Sequence, residues 1–281
     1  MEKLQHVTET MIYTTKKTQN NTQKMQLFHG RNISTQFKSY YINASANELM
    51  DPFIHQHRYE LLINHKMKCK GKNVFLLVFI HVAPGNFAGR NLIRSTFGTI
   101  SSFHNKRIVR VFVLGKTENV TIQQEIVNES KRYMDIVQGN FIDSYRNLTY
   151  KLVFSLFWVN NFCNNAKFVI KIDDDIILNI PLIIPYLAEK IKTGQTSNVL
   201  ECKTITENIP VRERNNKWFI TTEEYPFTKF LPYCAGHSSI MSIDVVRKMY
   251  RASKNVPYLW YAAPVLWNSL PEEFRQCSES V

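Results

Sequence analysis

An α/β fold, a largely parallel sheet covered by helices, is what this sequence predicts, and three observations carry the expectation. From Lys72 onward, β-rich apolar runs alternate with stretches of helical periodicity, the order that joins parallel strands through helical crossovers. The triplet Asp173-Asp174-Asp175 closes the apolar run Lys167 to Ile172, and ligands in such sheets bind outside the carboxyl ends of the strands. The 281 residues and 44% hydrophobic content suffice for one substantial core.

Taken in order, residues 1–71 are polar apart from a short mixed segment, Tyr59 to Ile63, and read as a stem or lead-in. The compact part opens with a strand over Val74–Val82, which stops at Ala83-Pro84-Gly85. A helix over Asn86–Phe97, a strand over Arg107–Leu114 and a helix over Thr121–Tyr133 follow. A short strand at Asp135–Val137, a helix over Ser144–Phe162 and a strand over Lys167–Ile172 complete the alternation. The second half is less regular. Ile180–Lys192 keeps a helical pattern, with Pro181 tolerated in its first turn and Pro185 shortening or kinking it. Trp218-Phe219-Ile220 and Ser238–Met241 read as short strands, and Ile243–Ala252 as a helix with Ser242 in the N-cap position.

Lys and Arg exceed Asp and Glu by 35 − 23 = 12, which suits an anionic partner such as a nucleotide, a phosphate or a membrane surface. The basic residues are scattered and no zinc-finger or RNA-binding aromatic signature accompanies them, so no nucleic-acid partner is expected. No apolar stretch is long enough to span a bilayer, and Met1 to Asn21 lacks the apolar core of a secretion signal, so this chain is expected to carry no membrane anchor. Asn20, Asn32, Asn43, Asn119, Asn128 and Asn147 each begin an Asn-x-Ser/Thr triplet, a hint of a luminal or extracellular protein. Cys69, Cys163, Cys202, Cys234 and Cys277 contain no CxxC pair, which argues against zinc and leaves buried thiols or one or two disulfides open. With Cys277 set aside as part of a foreign tail, the other four pair in three ways.

Three acids at the end of a buried strand repel one another and raise one another's pKa unless a metal or a basic partner offsets them. Oxygen-only ligands at this density suit a hard divalent ion, Mg²⁺ or Mn²⁺, better than zinc. The competing reading is a strand-ending turn with solvated acids, Asp being a common turn residue. That reading does not explain why the acids fall where such sheets bind ligands.

An ordered series of motifs surrounds the triplet. It runs Val82-Ala83-Pro84, Arg90-x-x-Ile93-Arg94-x-Thr96-Phe97-Gly98, Phe112-Val113-Leu114-Gly115 and Phe141-x-Asp143-x-Tyr145-x-Asn147-Leu148-Thr149-x-Lys151. It continues through Trp158, Cys163, Phe168-x-x-Lys171-x-Asp173-Asp174-Asp175-x-x-x-Asn179, Lys217-Trp218, Tyr225-Pro226 and Tyr233-Cys234-x-Gly236. In this order the residues resemble the β-1,3-galactosyltransferase family, which also contains β-1,3-N-acetylglucosaminyltransferases. The resemblance implies the GT-A fold, a Rossmann-like mixed sheet flanked by helices in a single domain. It also implies a Golgi-luminal, inverting hexosyltransferase that uses Mn²⁺ (or Mg²⁺), a UDP-sugar donor and a glycan acceptor on a glycoprotein or glycolipid.

Carried over residue by residue, the resemblance assigns Asp175 and Asp173 to the metal, and Asp173 or Asp174 to the ribose or a metal-bound water. Arg90 and Arg94, four apart and so on one helix face, become donor-phosphate or uracil contacts, the alternative being solvated helix arginines. Lys151 falls near the donor, or is a surface lysine; Asp143 or Ser144 caps the helix that follows. Trp218, Tyr225, Tyr233 and Gly236 would lie on the acceptor side, although core packing accounts equally well for any one of the aromatics. Cys163 and Cys234 are structural positions, and His237 departs from the family's small residue or Thr.

The family's catalytic base is the Asp of a Glu-Asp-Val motif just after the helix Ile243–Ala252. Here the match holds through Val256-Pro257-Tyr258-Leu259-Trp260, and Tyr261-Ala262-Ala263-Pro264-Val265-Leu266-Trp267-Asn268-Ser269-Leu270-Pro271-Glu272-Glu273-Phe274-Arg275 stands where the acids belong. This string resembles a segment near the end of reverse-transcriptase reading frames in animal retroelements. The expectation is therefore a transferase domain over 72–260, incomplete at its C-terminus and only marginally stable, an unrelated tail over 261–281, and no residue assigned as catalytic base. Glu272 and Glu273 come too late to serve. Donor and metal residues precede the break, so binding is expected to survive while transfer falls by roughly 10²–10⁴, the usual worth of a general base. A non-catalytic UDP-sugar-binding remnant is the alternative.

Overall fold

The computed structural model describes residues 59–254 except Lys217 and Leu231. Eight strands form one mixed sheet: β1 (Leu61–Ile63), β2 (Val74–His81), β3 (Ser102–Phe103), β4 (Lys106–Lys116), β5 (Ile136–Ile142), β6 (Phe168–Asp173), β7 (Leu200–Ile205) and β8 (Tyr233–Ser242). The helices are α1 (Phe87–Ser95), α2 (Val120–Tyr133), α3 (Leu148–Phe162), α4 (Ile180–Lys192) and α5 (Ile243–Ser253). Across the sheet the strands run β1-β5-β4-β2-β6-β8-β7, with β3 paired to β4. β5, β4, β2 and β6 are parallel, β1 and β8 flank them antiparallel, and β7 pairs antiparallel with β8.

Every residue of β2 is buried, because it lies between two parallel neighbours with helices on both faces. Its alternate side chains feed two separate cores. Leu77 and Phe79 join Val169, Phe154 and Trp158 of α3 and Val246 of α5, whereas Leu76 and Ile80 join Ile93 of α1, Ile126 of α2 and Ile184 of α4. The chain steps outward from β2 through β4 to β5, then returns to place β6 on the other side of β2. The carboxyl ends of β2 and β6 thus lie at the reversal of strand order, the place where such sheets open a crevice.

The alternating first half matches the sequence reading to within a few residues, and the irregular second half departs from it. Asp135–Val137 grows into β5, whose polar continuation is satisfied by tertiary contacts: buried Gln138 donates to Gly115 O and exchanges hydrogen bonds with Gln123. Trp218-Phe219-Ile220 is no strand and contributes one isolated bridge, Val211 to Phe219. Ser238–Met241 lengthens into β8 because β6 and β7 pair with it on both sides. The long helix expected from Ser144 begins as a 3₁₀ turn, Tyr145–Asn147, and neither Asp143 nor Ser144 caps it through its side chain. Ser242 does hold the N-cap position of α5, but its hydroxyl donates to Asp244 instead of accepting a helix N–H.

Residues ahead of Lys72 already belong to the fold. β1 pairs with β5, Tyr59 packs edge-on against Phe154, and the Trp158 indole donates to Asn64 Oδ1 at 2.8 Å. Of the three pairings open to four cysteines, the structure has Cys69–Cys163, with Cα atoms 5.1 Å apart, and Cys202–Cys234, at 5.5 Å. Cys277 and the segment 261–281 lie outside the described residues.

The Cys69–Cys163 bridge spans 94 residues and is fully buried. Closing so long a loop restricts the unfolded chain, so Cys163→Ser should lower the unfolding free energy by about 2–5 kcal/mol, measured as a shift in denaturant midpoint under oxidising conditions.

Candidate functional site at the carboxyl edge of the sheet

The site is built where β2, β6 and β4 end. β6 terminates at Asp173, paired in register with His81 at the end of β2, so the triplet emerges beside the loop that leads into α1. That loop is fastened to it directly. Asn86 caps α1 by accepting from Gly89 N at 3.0 Å, and its amide donates to Asp174 Oδ2 at 2.6 Å. A Cβ on Gly89 would stand 2.4 Å from the Asn86 amide nitrogen, so that side chain would have to shift.

Two buried lysines face the acids. Lys151, from the second turn of α3, donates to Val82 O at 2.8 Å and pairs with Asp143 at 2.7 Å. Asp143 in turn accepts from Gly115 N at 2.7 Å, which holds the end of β4 against the end of β5. The close approach requires glycine: a Cβ on Gly115 would meet Phe141 O at 2.5 Å. Lys171 pairs with Asp173 and donates to Gly236 O. Successive even-spaced residues of a strand share a face, so Lys171 and Asp173 meet for the same reason that they are two apart.

Burial pushes both ammonium groups below the usual lysine range. For Lys151 the opposing pull comes first from Asp143 and then from Asp174 and Asp173; for Lys171 it comes from Asp173. Asp173 is pushed up, first by burial and further by Asp175 and Asp174, with Lys171 pulling back. The repulsion expected of a carboxylate triplet is thus present and is partly offset by basic partners. His81 is fully enclosed, with Nε2 2.9 Å from Ser155 Oγ. Burial, with Lys171 and Lys151 nearby, holds it well below the usual range and keeps it neutral. His237, half-buried, is lowered by burial and Lys171, against Asp173.

Not every sequence-predicted residue reaches this edge. The Arg90 side chain is entirely enclosed: it grips Glu129 through Nε and Nη2 (2.6–3.0 Å) and donates to Ala83 O at 3.0 Å. Arg94 forks onto Asp135 at 2.8 Å through both nitrogens and reaches Glu129 at 2.6 Å. The two arginines share a helix face, as their spacing requires, but that face is packed against α2, with its charges already matched. They are neither donor contacts in this arrangement nor solvated surface arginines. Tyr225 is likewise a packing residue, 2% exposed, with its hydroxyl on Lys229 O and its ring against Phe227 and Phe230. Tyr233 is half-buried against Phe230 and accepts from Asn208 at 2.6 Å. Trp218 keeps an open face, 48% exposed, and lies by Tyr145, two residues beyond Asp143. Gly236 is exposed at the start of β8, with its carbonyl on Lys171.

Three contributors were not assigned a role from the sequence. Lys171 was readable from its two-residue spacing to Asp173. Asn86 and His81 were not, because their partners Asp174 and Ser155 are 88 and 74 residues away along the chain.

Among the described residues no three His, Cys, Asp or Glu side chains form a ready-made metal cage. The donor set nevertheless fits a hard divalent ion of the kind held by one or two carboxylates together with substrate phosphates. Asp175 is exposed, and its carboxylate makes no hydrogen bond or ion pair among the described residues.

The fold and this edge define an α/β protein with a cluster of acids at its strand-order reversal. The sequence profile of the family described as Galactosyltransferase matches residues 88–265, and the chain belongs to that family. Human beta-1,3-galactosyltransferase 9 is 38% identical over 191 residues, covering 68% of this chain and 51% of that protein. Lactosylceramide 1,3-N-acetyl-beta-D-glucosaminyltransferase B of Xenopus laevis is 37% identical over 205 residues, covering 70% and 54%. Mouse beta-1,3-galactosyltransferase 1 is 34% identical over 200 residues, covering 71% and 61%. The chain thus spans about half to three fifths of the length of these relatives.

Breaking a buried ion pair by removing one partner leaves an uncompensated charge. Arg90→Leu and Glu129→Gln should therefore each lower the unfolding free energy by about 3–5 kcal/mol in denaturant titrations. Unchanged stability in Arg90→Leu would contradict the structural role of that side chain.

Proposed function

We propose that the protein is a β-1,3-glycosyltransferase that takes galactose or N-acetylglucosamine from a UDP-sugar and that Asp175 and Asp173 hold the divalent ion, Mn²⁺ or Mg²⁺, for its diphosphate. The observation that carries this reading is a charge count at the edge. Of four carboxylates at the edge, Asp143 and Asp173 pair with the two buried ammonium groups, Lys151 and Lys171, which leaves two, Asp174 and Asp175, without an ion pair among the described residues. A surplus of that size suits one divalent cation. When bound, such an ion withdraws charge from a departing diphosphate.

The chain's own residues prepare the place. Asn86 fixes Asp174 toward the loop after β2, Lys171 fixes Asp173, and Asp175 is left to the ligand. Lys151 anchors the rim and brings a positive charge close to where an anionic donor would lie. Trp218 and Tyr145 offer ring faces for a sugar on the acceptor side, sugars having apolar faces that stack on aromatics. Relatives named for transfer to lactosylceramide favour a glycan acceptor on a lipid as readily as one on a protein.

A second reading, a UDP-sugar-binding protein without turnover, is favoured by one feature. Tyr261 to Trp267 occupies the place where the resemblance calls for Glu-Asp-Val. Two disulfides imply folding in an oxidising compartment, which fits the Golgi lumen. Among the described residues no helix is long and apolar enough to cross a membrane.

Calorimetric titration with UDP should show binding that needs Mn²⁺, and Asp175→Asn should weaken it at least about tenfold, a loss of about 1.4 kcal/mol. Undiminished Mn²⁺-dependent binding in that variant would remove the metal assignment. UDP release with sugar acceptors then separates the two readings.

A further inference from the structure

Three of the Asn-x-Ser/Thr triplets lie among the described residues, and the fold treats them differently. Asn147 is half-buried, its amide donates to Ile142 O at 2.7 Å, and Thr149 of the same triplet is buried. Its position, four residues before Lys151, places it at the ligand edge. Asn128 lies within α2, where Glu129 is locked to Arg90 and Arg94 and the Ser130 hydroxyl is buried 2.9 Å from His65 Nε2. The third triplet, Asn119-Val120-Thr121, is exposed at all three residues, and Val120 is 81% exposed.

Asn119 is the N-cap of α2. Its Oδ1 accepts from Ile122 N at 3.1 Å, while its Nδ2 makes no hydrogen bond among the described residues. A substituent on Nδ2 keeps the amide carbonyl, so the cap would survive it. The capping geometry also directs the nitrogen away from the helix whose N–H the oxygen receives.

We propose that Asn119 is an N-glycosylation site of this chain. The co-substrate is an oligosaccharide carried on a lipid diphosphate. The amide Nδ2 bonds to the sugar C1 as the C1–O bond to the diphosphate breaks, the nitrogen loses one proton, and the lipid diphosphate leaves with the electron pair. The inference rests on the luminal reading only for its occurrence in the native setting; its geometry is independent of the transferase activity.

The test expresses the full chain behind a cleavable secretion leader, which fixes the compartment whatever the natural route. Purified protein is treated with peptide N-glycosidase in ¹⁸O water and each triplet is read by peptide mass spectrometry. The expected result is that Asn119 carries the label at higher occupancy than Asn128 or Asn147. Thr121→Ala, which leaves the cap intact, should remove one glycan's worth of gel mobility, and Thr121→Ser should restore it. Recovery of Asn119 as unmodified asparagine from the secreted protein, or lower occupancy there than at Asn147, would overturn the proposal. Because wild-type protein gives the site-by-site reading, misfolding of a variant cannot obscure it. UDP binding, measured separately, reports on the transferase reading alone.

Discussion

Two enclosed ammonium groups hold the acid edge of this sheet in place, and most of the site follows from them. A charged group out of water is tolerated only when oxygens surround it. Lys151 finds a backbone carbonyl beyond β2 and the Asp143 carboxylate beyond β5, so one side chain from α3 clamps two loops. Lys171 does the same between β6 and β8, through Asp173 and the Gly236 carbonyl. The edge is therefore rigid where its charges are paired. It is open at Asp175, the acid that neither lysine engages through a hydrogen bond.

A second charge network lies close by in the fold and has the opposite character. Arg90 and Arg94 face Glu129 and Asp135 in a buried cluster that ties α1 to α2 and to the start of β5, with Arg110 and Lys68 also within charge reach of Asp135. Burial alone would lower the Arg94 guanidinium, yet Asp135 and Glu129 hold it above its ordinary value. Aromatic faces complete the enclosure, with Arg94 4.8 Å from the Phe112 ring centre and 4.0 Å from that of Tyr133. Both α1 arginines are already engaged by carboxylates. The same residue types thus tie helices together in one place and leave an exposed acid, Asp175, in the other.

How much of this was legible in the sequence follows the distance over which each feature is decided. The triplet, its strand and the pairing of Lys171 with Asp173 are local, and period-two alternation exposes them. The shared face of Arg90 and Arg94 was local too, but its partners stand 35 to 41 residues away, and no spacing rule announces them. β7 escaped notice because Leu200-Glu201-Cys202-Lys203-Thr204-Ile205 mixes charge with short apolar residues. Its order comes from β8 and the Cys202–Cys234 bridge, both of them non-local. Tyr225 looked like a wall for a sugar and proved to be the centre of a small aromatic core, a choice that composition cannot make.

That small core also explains why the long segment between β7 and β8 can present Trp218 at all. Arg212 spreads its guanidinium over the carbonyls of Ile220, Thr221, Tyr225 and Phe227, four acceptors that would otherwise need water or a strand partner. With those carbonyls satisfied, residues 206–230 hold a shape without regular secondary structure, and Phe230 N closes back onto Asn208 O at 2.9 Å. An exposed indole on a loose loop would contribute little to recognition, since ordering it would cost conformational entropy at each binding event. Trp218 itself is held by its backbone N–H on Asn216 Oδ1 at 2.9 Å and by its contact with Tyr145. The segment between β7 and β8 is therefore held by hydrogen bonds to backbone, and the acid edge by ion pairs.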